Sequence, residues 1–130
     1  MYEISVRTEF CAAHALQIGG VRERVHGHNW HVTAVVRGQT LDPDGFVCDF
    51  HTVQATLHEI VAPFHNADLD ACEPFAGGVN PSAEQVARVI ADALAARLDA
   101  SLAPHAWVDR VSVTEAPGCE ATCFRRRPAH

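Results

Sequence analysis

The sequence predicts an α+β domain in which two helices cover one face of an antiparallel four-stranded sheet. Three observations lead there. Apolar residues alternate with a period of two near both ends of the chain, the spacing changes to three and four in the middle, and turn-forming residues separate the blocks.

The first strand is expected over residues 2–10, where Tyr2, Ile4, Val6, Thr8 and Phe10 share one face. A second runs from about His28 to Arg37, with Trp30, Val32, Ala34 and Val36 alternating before Gly38. Asp42-Pro43-Asp44-Gly45 has turn chemistry, because proline presets φ and glycine accepts positive φ, and a short strand over 46–48 is expected after it. From Asp49 the period becomes helical: Phe50, Val53, Leu57, Ile60, Val61 and Phe64 mark a helix to roughly Pro63. Residues 65–80 have loop composition. Asn80 as N-cap and Pro81 at the first helical position open a second helix, with Val86, Ile90, Leu94 and Leu98 as its buried stripe and an end near Asp99. Trp107 to Glu115 and Glu120 to Arg126 are the last two strands, joined through Ala116-Pro117-Gly118.

A length of 130 residues fits one domain over 1–130 with a core of its own. The formal net charge of −6 excludes a general binder of nucleic acid or anionic membrane, since both need clustered positive surface. The start of the chain lacks the pattern of a secretory signal and no apolar run approaches a membrane span, so a soluble cytoplasmic protein is expected. Five cysteines without CxxC spacing suit neither a disulfide framework nor a cysteine zinc knuckle. Nine histidines exceed what packing requires, and they turn attention to metal.

His26-Gly27-His28 is the strongest local signal. Residues two apart on a strand face the same side, about 6.6 to 7 Å apart, from which two imidazoles can converge on one cation. His31 falls on the opposite face. If the first two strands pair as a hairpin, His14 completes a three-histidine set that leaves a fourth position for water or substrate, the arrangement of catalytic zinc. The competing reading is two surface strand histidines and a strand-ending His14. A cupin does not fit, because Val32 and Thr33 stand where its glutamate would be. Glu115 shares parity with Val111 and Val113, so it points inward at the end of its strand and requires a donor, either a planar N–H-rich ligand or, alternatively, Arg125 or Arg126. Glu23 and His65 are a carboxylate near the metal candidates and a loop imidazole; neither is distinctive without context.

Taken in order, Phe10-Cys11-Ala12-Ala13-His14, HGHNW at 26–30, Gly45 to Phe50, Asn80-Pro81-Ser82-Ala83-Glu84 and Val113-Thr114-Glu115 resemble the 6-pyruvoyl/6-carboxytetrahydropterin synthase family over nearly the whole chain. The resemblance implies the tunnelling fold, in which subunit sheets join into a barrel, as a trimer or hexamer with active sites between subunits. It implies 7,8-dihydroneopterin triphosphate as substrate, Zn²⁺ on His14, His26 and His28, a pterin anchored by Glu115 outside the metal set, and Ser82 assisting. The expected product is 6-carboxy-5,6,7,8-tetrahydropterin, for 7-deazaguanine and queuosine biosynthesis. The alternatives are a folate-side lyase giving 6-hydroxymethyl-7,8-dihydropterin, a 6-pyruvoyl tetrahydropterin synthase, or a zinc- and pterin-binding protein without catalysis.

Two departures from the family pattern bear on the reaction. Arg22 stands in the slot of the family's catalytic cysteine, whereas Glu23 matches the glutamate of the folate-side branch. His65-Asn66 replaces the family's Asp-His pair, so the orienting carboxylate is missing unless Asp68 or Asp70 supplies it. Glu23 and His65 are accordingly the expected proton movers.

Overall fold

The structure, a computed structural model, describes residues 1–129. Strands β1 (Tyr2–His14) and β4 (His26–Gly38) form a long antiparallel hairpin, paired without interruption from Tyr2 opposite Gly38 to His14 opposite His26. Between them lies a separate small hairpin, β2 (Gln17–Ile18) with β3 (Val21–Arg22). Helix α1 covers Phe50–Val61, a two-residue strand β5 covers Ala67–Asp68, and helix α2 covers Ala83–Leu102. Strands β6 (Ala106–Ala116) and β7 (Cys119–Phe124) finish a sheet of order β5-β1-β4-β6-β7.

Alternation decides which face is covered. Val6, Phe10 and Ala12 of β1, Trp30, Val32, Ala34 and Val36 of β4, and Val108, Val111 and Val113 of β6 meet Val53 and Leu57 of α1 and Val86, Ile90, Leu94 and Leu98 of α2 in one core. Both helices thus lie on one side, as the period change in the sequence predicts. Among the described residues, no helix is long and apolar enough to cross a membrane.

Four expectations need correction. Residues 46–48 form no strand: the Asp42 carboxylate accepts from the backbone N–H groups of Asp44 (3.0 Å) and Phe46 (2.9 Å), and this closed turn delivers Val47 into the core. The sheet is five-stranded and mixed, because Asn66 turns the chain at φ 57° and donates its N–H to the Cys11 carbonyl at 2.6 Å, zipping β5 parallel to β1. A short polar side chain tolerates that left-handed backbone. Asn80 does not cap α2. Its side chain bridges both backbone groups of Gln17, at 2.9 and 3.0 Å, and Ser82 takes over as N-cap by accepting from Gln85 N–H at 3.2 Å. Phe50, placed in the apolar stripe of α1 by its spacing, is exposed instead.

Candidate metal centre

The covered face of the β1/β4 hairpin runs from core to chemistry along a single parity. Phe10, Ala12 and His14 follow one another on β1, and Trp30, His28 and His26 on β4. Full register sets His14 opposite His26 and Ala12 opposite His28, so the small alanine leaves room for the imidazole across from it. The hydrophobic alternation that packs Trp30 therefore also aims the histidines. Nothing lies within contact of a side chain built at Gly27, so the space between the two ligand residues is open.

His14 is fully buried, and its Nδ1 donates to the Pro81 carbonyl at 2.8 Å. His26 Nδ1 donates likewise to the Arg24 carbonyl at 2.9 Å. A carbonyl only accepts, so both rings carry a proton on Nδ1, and in the neutral form each presents a bare Nε2. Those two Nε2 atoms face each other at 3.0 Å. Two lone pairs at that distance repel unless a proton or a cation lies between them. The buried His28 Nε2 has no hydrogen-bond partner. A Glu115 oxygen lies 3.0 Å from His28 Nε2 and 3.2 Å from His14 Nε2, close contacts that are not hydrogen bonds. The four ligand atoms all fall within 4.8 Å of one another. Burial lowers the pKa of His28 below the ordinary histidine value, with the Glu115 carboxylate partly opposing it. The neutral ring favoured in this way is the form that binds metal. Three imidazole nitrogens and a carboxylate, two of the rings oriented from behind by backbone carbonyls, fit a divalent ion such as zinc.

Glu23 stands at the rim of this cluster. Its carboxylate accepts from Leu16 N–H at 3.1 Å and lies 3.7 Å from His26 Nε2. Arg22 faces Asp70 at 4.0 Å, and Asp70 accepts from Ala15 N–H at 2.8 Å, which ties the loop after α1 to the residue next to His14. Arg125 pairs with Asp99 at 3.0 Å, so it is not the partner of Glu115. Ser82 is half-buried beside Pro81, whose carbonyl holds His14.

His65 lies elsewhere. Its Nδ1 accepts from Cys11 N–H at 3.2 Å, and it lines a cavity of about 190 Å³ with Glu9, Cys11, Asn29 and His31 on the face the helices leave bare. Within one chain it does not join the four-residue cluster. Neither aspartate orients it: Asp68 accepts from Asp70 N–H at 3.0 Å, and Asp70 is held by Ala15. The carbonyls of Pro81 and Arg24 were not foreseeable as histidine partners from spacing. The only signal was the N-cap region around Asn80-Pro81-Ser82, which the resemblance already marked as important.

A cavity of about 490 Å³ opens at the end of β4 and β6, lined by Gly27, His28, Thr114, Glu115 and Pro117 among others. It is large enough for a bicyclic ligand, with both Glu115 and His28 on its wall.

A family model described as 6-pyruvoyl tetrahydropterin synthase matches residues 3–126. A Bacillus subtilis 6-carboxy-5,6,7,8-tetrahydropterin synthase is 30% identical over 103 residues, covering 75% of this chain and 68% of that protein. An Archaeoglobus fulgidus protein provisionally named for the same activity is 33% identical over 67 residues, spanning 52% of this chain and 57% of its own length. Among solved structures, a Caenorhabditis elegans 6-pyruvoyl tetrahydropterin synthase superposes with a TM-score of 0.81 at 20% identity, covering 96% of each chain. The fold likeness extends over almost the whole chain, and so does the sequence match. On that ground the chain belongs to the 6-pyruvoyl tetrahydropterin synthase family.

Proposed function

We propose that this single-domain chain is a zinc-dependent lyase acting on 7,8-dihydroneopterin triphosphate, with 6-carboxy-5,6,7,8-tetrahydropterin as its product. The observation that carries the reading is the convergence of His14, His26, His28 and Glu115 beside a cavity of bicyclic size. The name of the Bacillus subtilis relative supports the choice of product.

His14, His26 and His28 would hold the ion through Nε2, and backbone carbonyls keep the His14 and His26 rings in place. A bound zinc supplies Lewis acidity toward the hydroxyls of the substrate side chain, lowering their pKa. Glu23, fixed by Leu16 N–H at the rim of the cluster, takes protons from the substrate side chain as they are released. Glu115 accepts N–H groups of the pterin through its paired oxygens, a charge-assisted contact that selects a planar donor edge. Ser82 keeps its hydroxyl proton available for the ligand while its oxygen caps α2. His65 contributes only across a subunit boundary, from its place on the bare face of a neighbouring copy; a trimer or hexamer is part of this reading.

The folate-side reaction is the second reading, and one observation favours it: the group nearest the cluster in the Cys/Glu slot region is the Glu23 carboxylate, with Arg22 directed at Asp70. The deciding experiment incubates zinc-loaded protein with 7,8-dihydroneopterin triphosphate and identifies the released pterin by chromatography and mass. The 6-carboxy compound is expected. 6-Hydroxymethyl-7,8-dihydropterin or a 6-pyruvoyl product would move the chain to another branch of the family, and tight binding without turnover would make it a non-catalytic pterin binder.

A further inference from the structure

The donor geometry carries more than a three-histidine site. Four ligands at zinc–nitrogen and zinc–oxygen lengths stand roughly 3.3 Å apart along the edges of a tetrahedron. Three edges are close to that here: 3.0 Å between His14 and His26 Nε2, 3.2 Å from His14 Nε2 to Glu115, and 3.0 Å from His28 Nε2 to Glu115. The same Glu115 oxygen makes two of those edges. Around a bound ion it would stand as a fourth donor beside the three imidazoles.

The backbone under Glu115 is irregular. Pairing of β6 to β4 stops at Thr114 opposite His31, and pairing to β7 passes from Thr114–Glu120 to Ala116–Cys119, so Glu115 is the unpaired residue of a β-bulge. A bulge redirects a side chain without breaking the sheet. The carboxylate also lines the 490 Å³ cavity, so turning away from the imidazoles directs it into the space a ligand would fill.

We infer that Glu115 is the fourth metal ligand of the pterin-free protein and that pterin binding exchanges it: the substrate side-chain oxygens take its place on the ion while the freed carboxylate accepts the pterin N–H groups. This deepens the proposed function and rests on its metal and pterin. It assigns two successive jobs to one residue. Recognition of the ring and opening of the metal become one event, and the ion stays shielded from stray ligands until a pterin arrives.

Cobalt(II), a coloured substitute for zinc, provides the test without relying on activity. In the absence of pterin, Glu115→Ala is expected to weaken cobalt at least about tenfold in chelator competition, since even a partner one shell further out is worth about 10- to 100-fold, and to change the visible ligand-field spectrum. Glu115→Gln, nearly the same shape, should show the same trend. Neopterin added to wild-type protein should shift its spectrum as the carboxylate leaves. Unchanged affinity and spectrum in both variants overturns the inference and leaves the proposed function standing. A wild-type spectrum unmoved by neopterin, when calorimetry shows it bound, overturns the exchange, and this arm needs no variant to fold. Retention of cobalt by His26→Ala overturns the metal site itself, and with it both proposals.

Discussion

The two faces of the β1/β4 hairpin carry the same residue types and put them to different uses. On the covered face His14, His26, His28 and Glu115 converge, with His14 and His26 fixed by backbone carbonyls. On the bare face His31 and Glu9 form a solvent-exposed pair at 3.3 Å, and His65 serves as acceptor for a backbone N–H. An exposed pair of that kind contributes little. What separates the faces is parity: a histidine on the other face falls outside the four-donor cluster, so the number of histidines is a weaker signal than their register.

Breaking each face in turn should show the contrast most sharply in metal content. Purified His26→Ala is expected to lose its zinc while His31→Ala keeps about one per chain, as read by elemental analysis. Equal retention in both would mean the covered face is not the metal face.

Next in size is the packing behind the ligands. Trp30 is fully buried, stacks on Phe10 with centroids 5.8 Å apart, and sets its edge against His14. Trp30→Ala should cost about 3–5 kcal/mol in denaturant unfolding, whereas His31→Ala on the other side should stay within about 0.5 kcal/mol. A small loss at Trp30 would show that the covered face tolerates repacking.

The thiols sharpen the comparison further. Burial, with Asp49 and Asp42 nearby, pushes Cys48 from 9.0 to about 11, while Cys11 is exposed on the bare face. A raised thiol pKa means less thiolate, the reactive species, at any pH below it. Cys48 should therefore be alkylated more slowly than the exposed Cys11 at pH 8, by roughly ten- to a hundredfold against a free cysteine thiol. Mass spectrometry of peptides after timed iodoacetamide treatment measures both at once. The sign for stability follows: with the folded value above the unfolded one, Cys48 leaves stability untouched well below pH 9 and reduces it as pH rises toward 11.

How far these features could be read in advance depends on what positions them. His14, His26 and His28 were legible because strand alternation fixes parity, and parity fixes face. The inward direction of Glu115 was legible on the same ground, from Val111 and Val113. Its closeness to the imidazoles was not, since that depends on the register of three strands and a bulge that leaves no mark on hydrophobic spacing. Asn80 and Ser82 are both good capping residues, and the choice between them is tertiary: Asn80 is taken by Gln17, which lies 63 positions away. Loops follow no period, so the side of the sheet on which His65 emerges was beyond any pattern argument, as was the pairing of β5 with β1.

The long hairpin has a kinetic implication. His14, His26 and His28 lie within a stretch of 15 residues and come together when β1 and β4 pair, a local closure with little chain entropy to overcome. Glu115 lies 87 positions after His28 and arrives only once α1 and α2 have been synthesised and β6 has docked. A nascent chain therefore offers three nitrogen donors early and the oxygen donor late, the order expected when local contacts precede distant ones. In the proposed metal site the imidazole donors are thus assembled by the hairpin, and the carboxylate joins them only when the sheet is complete.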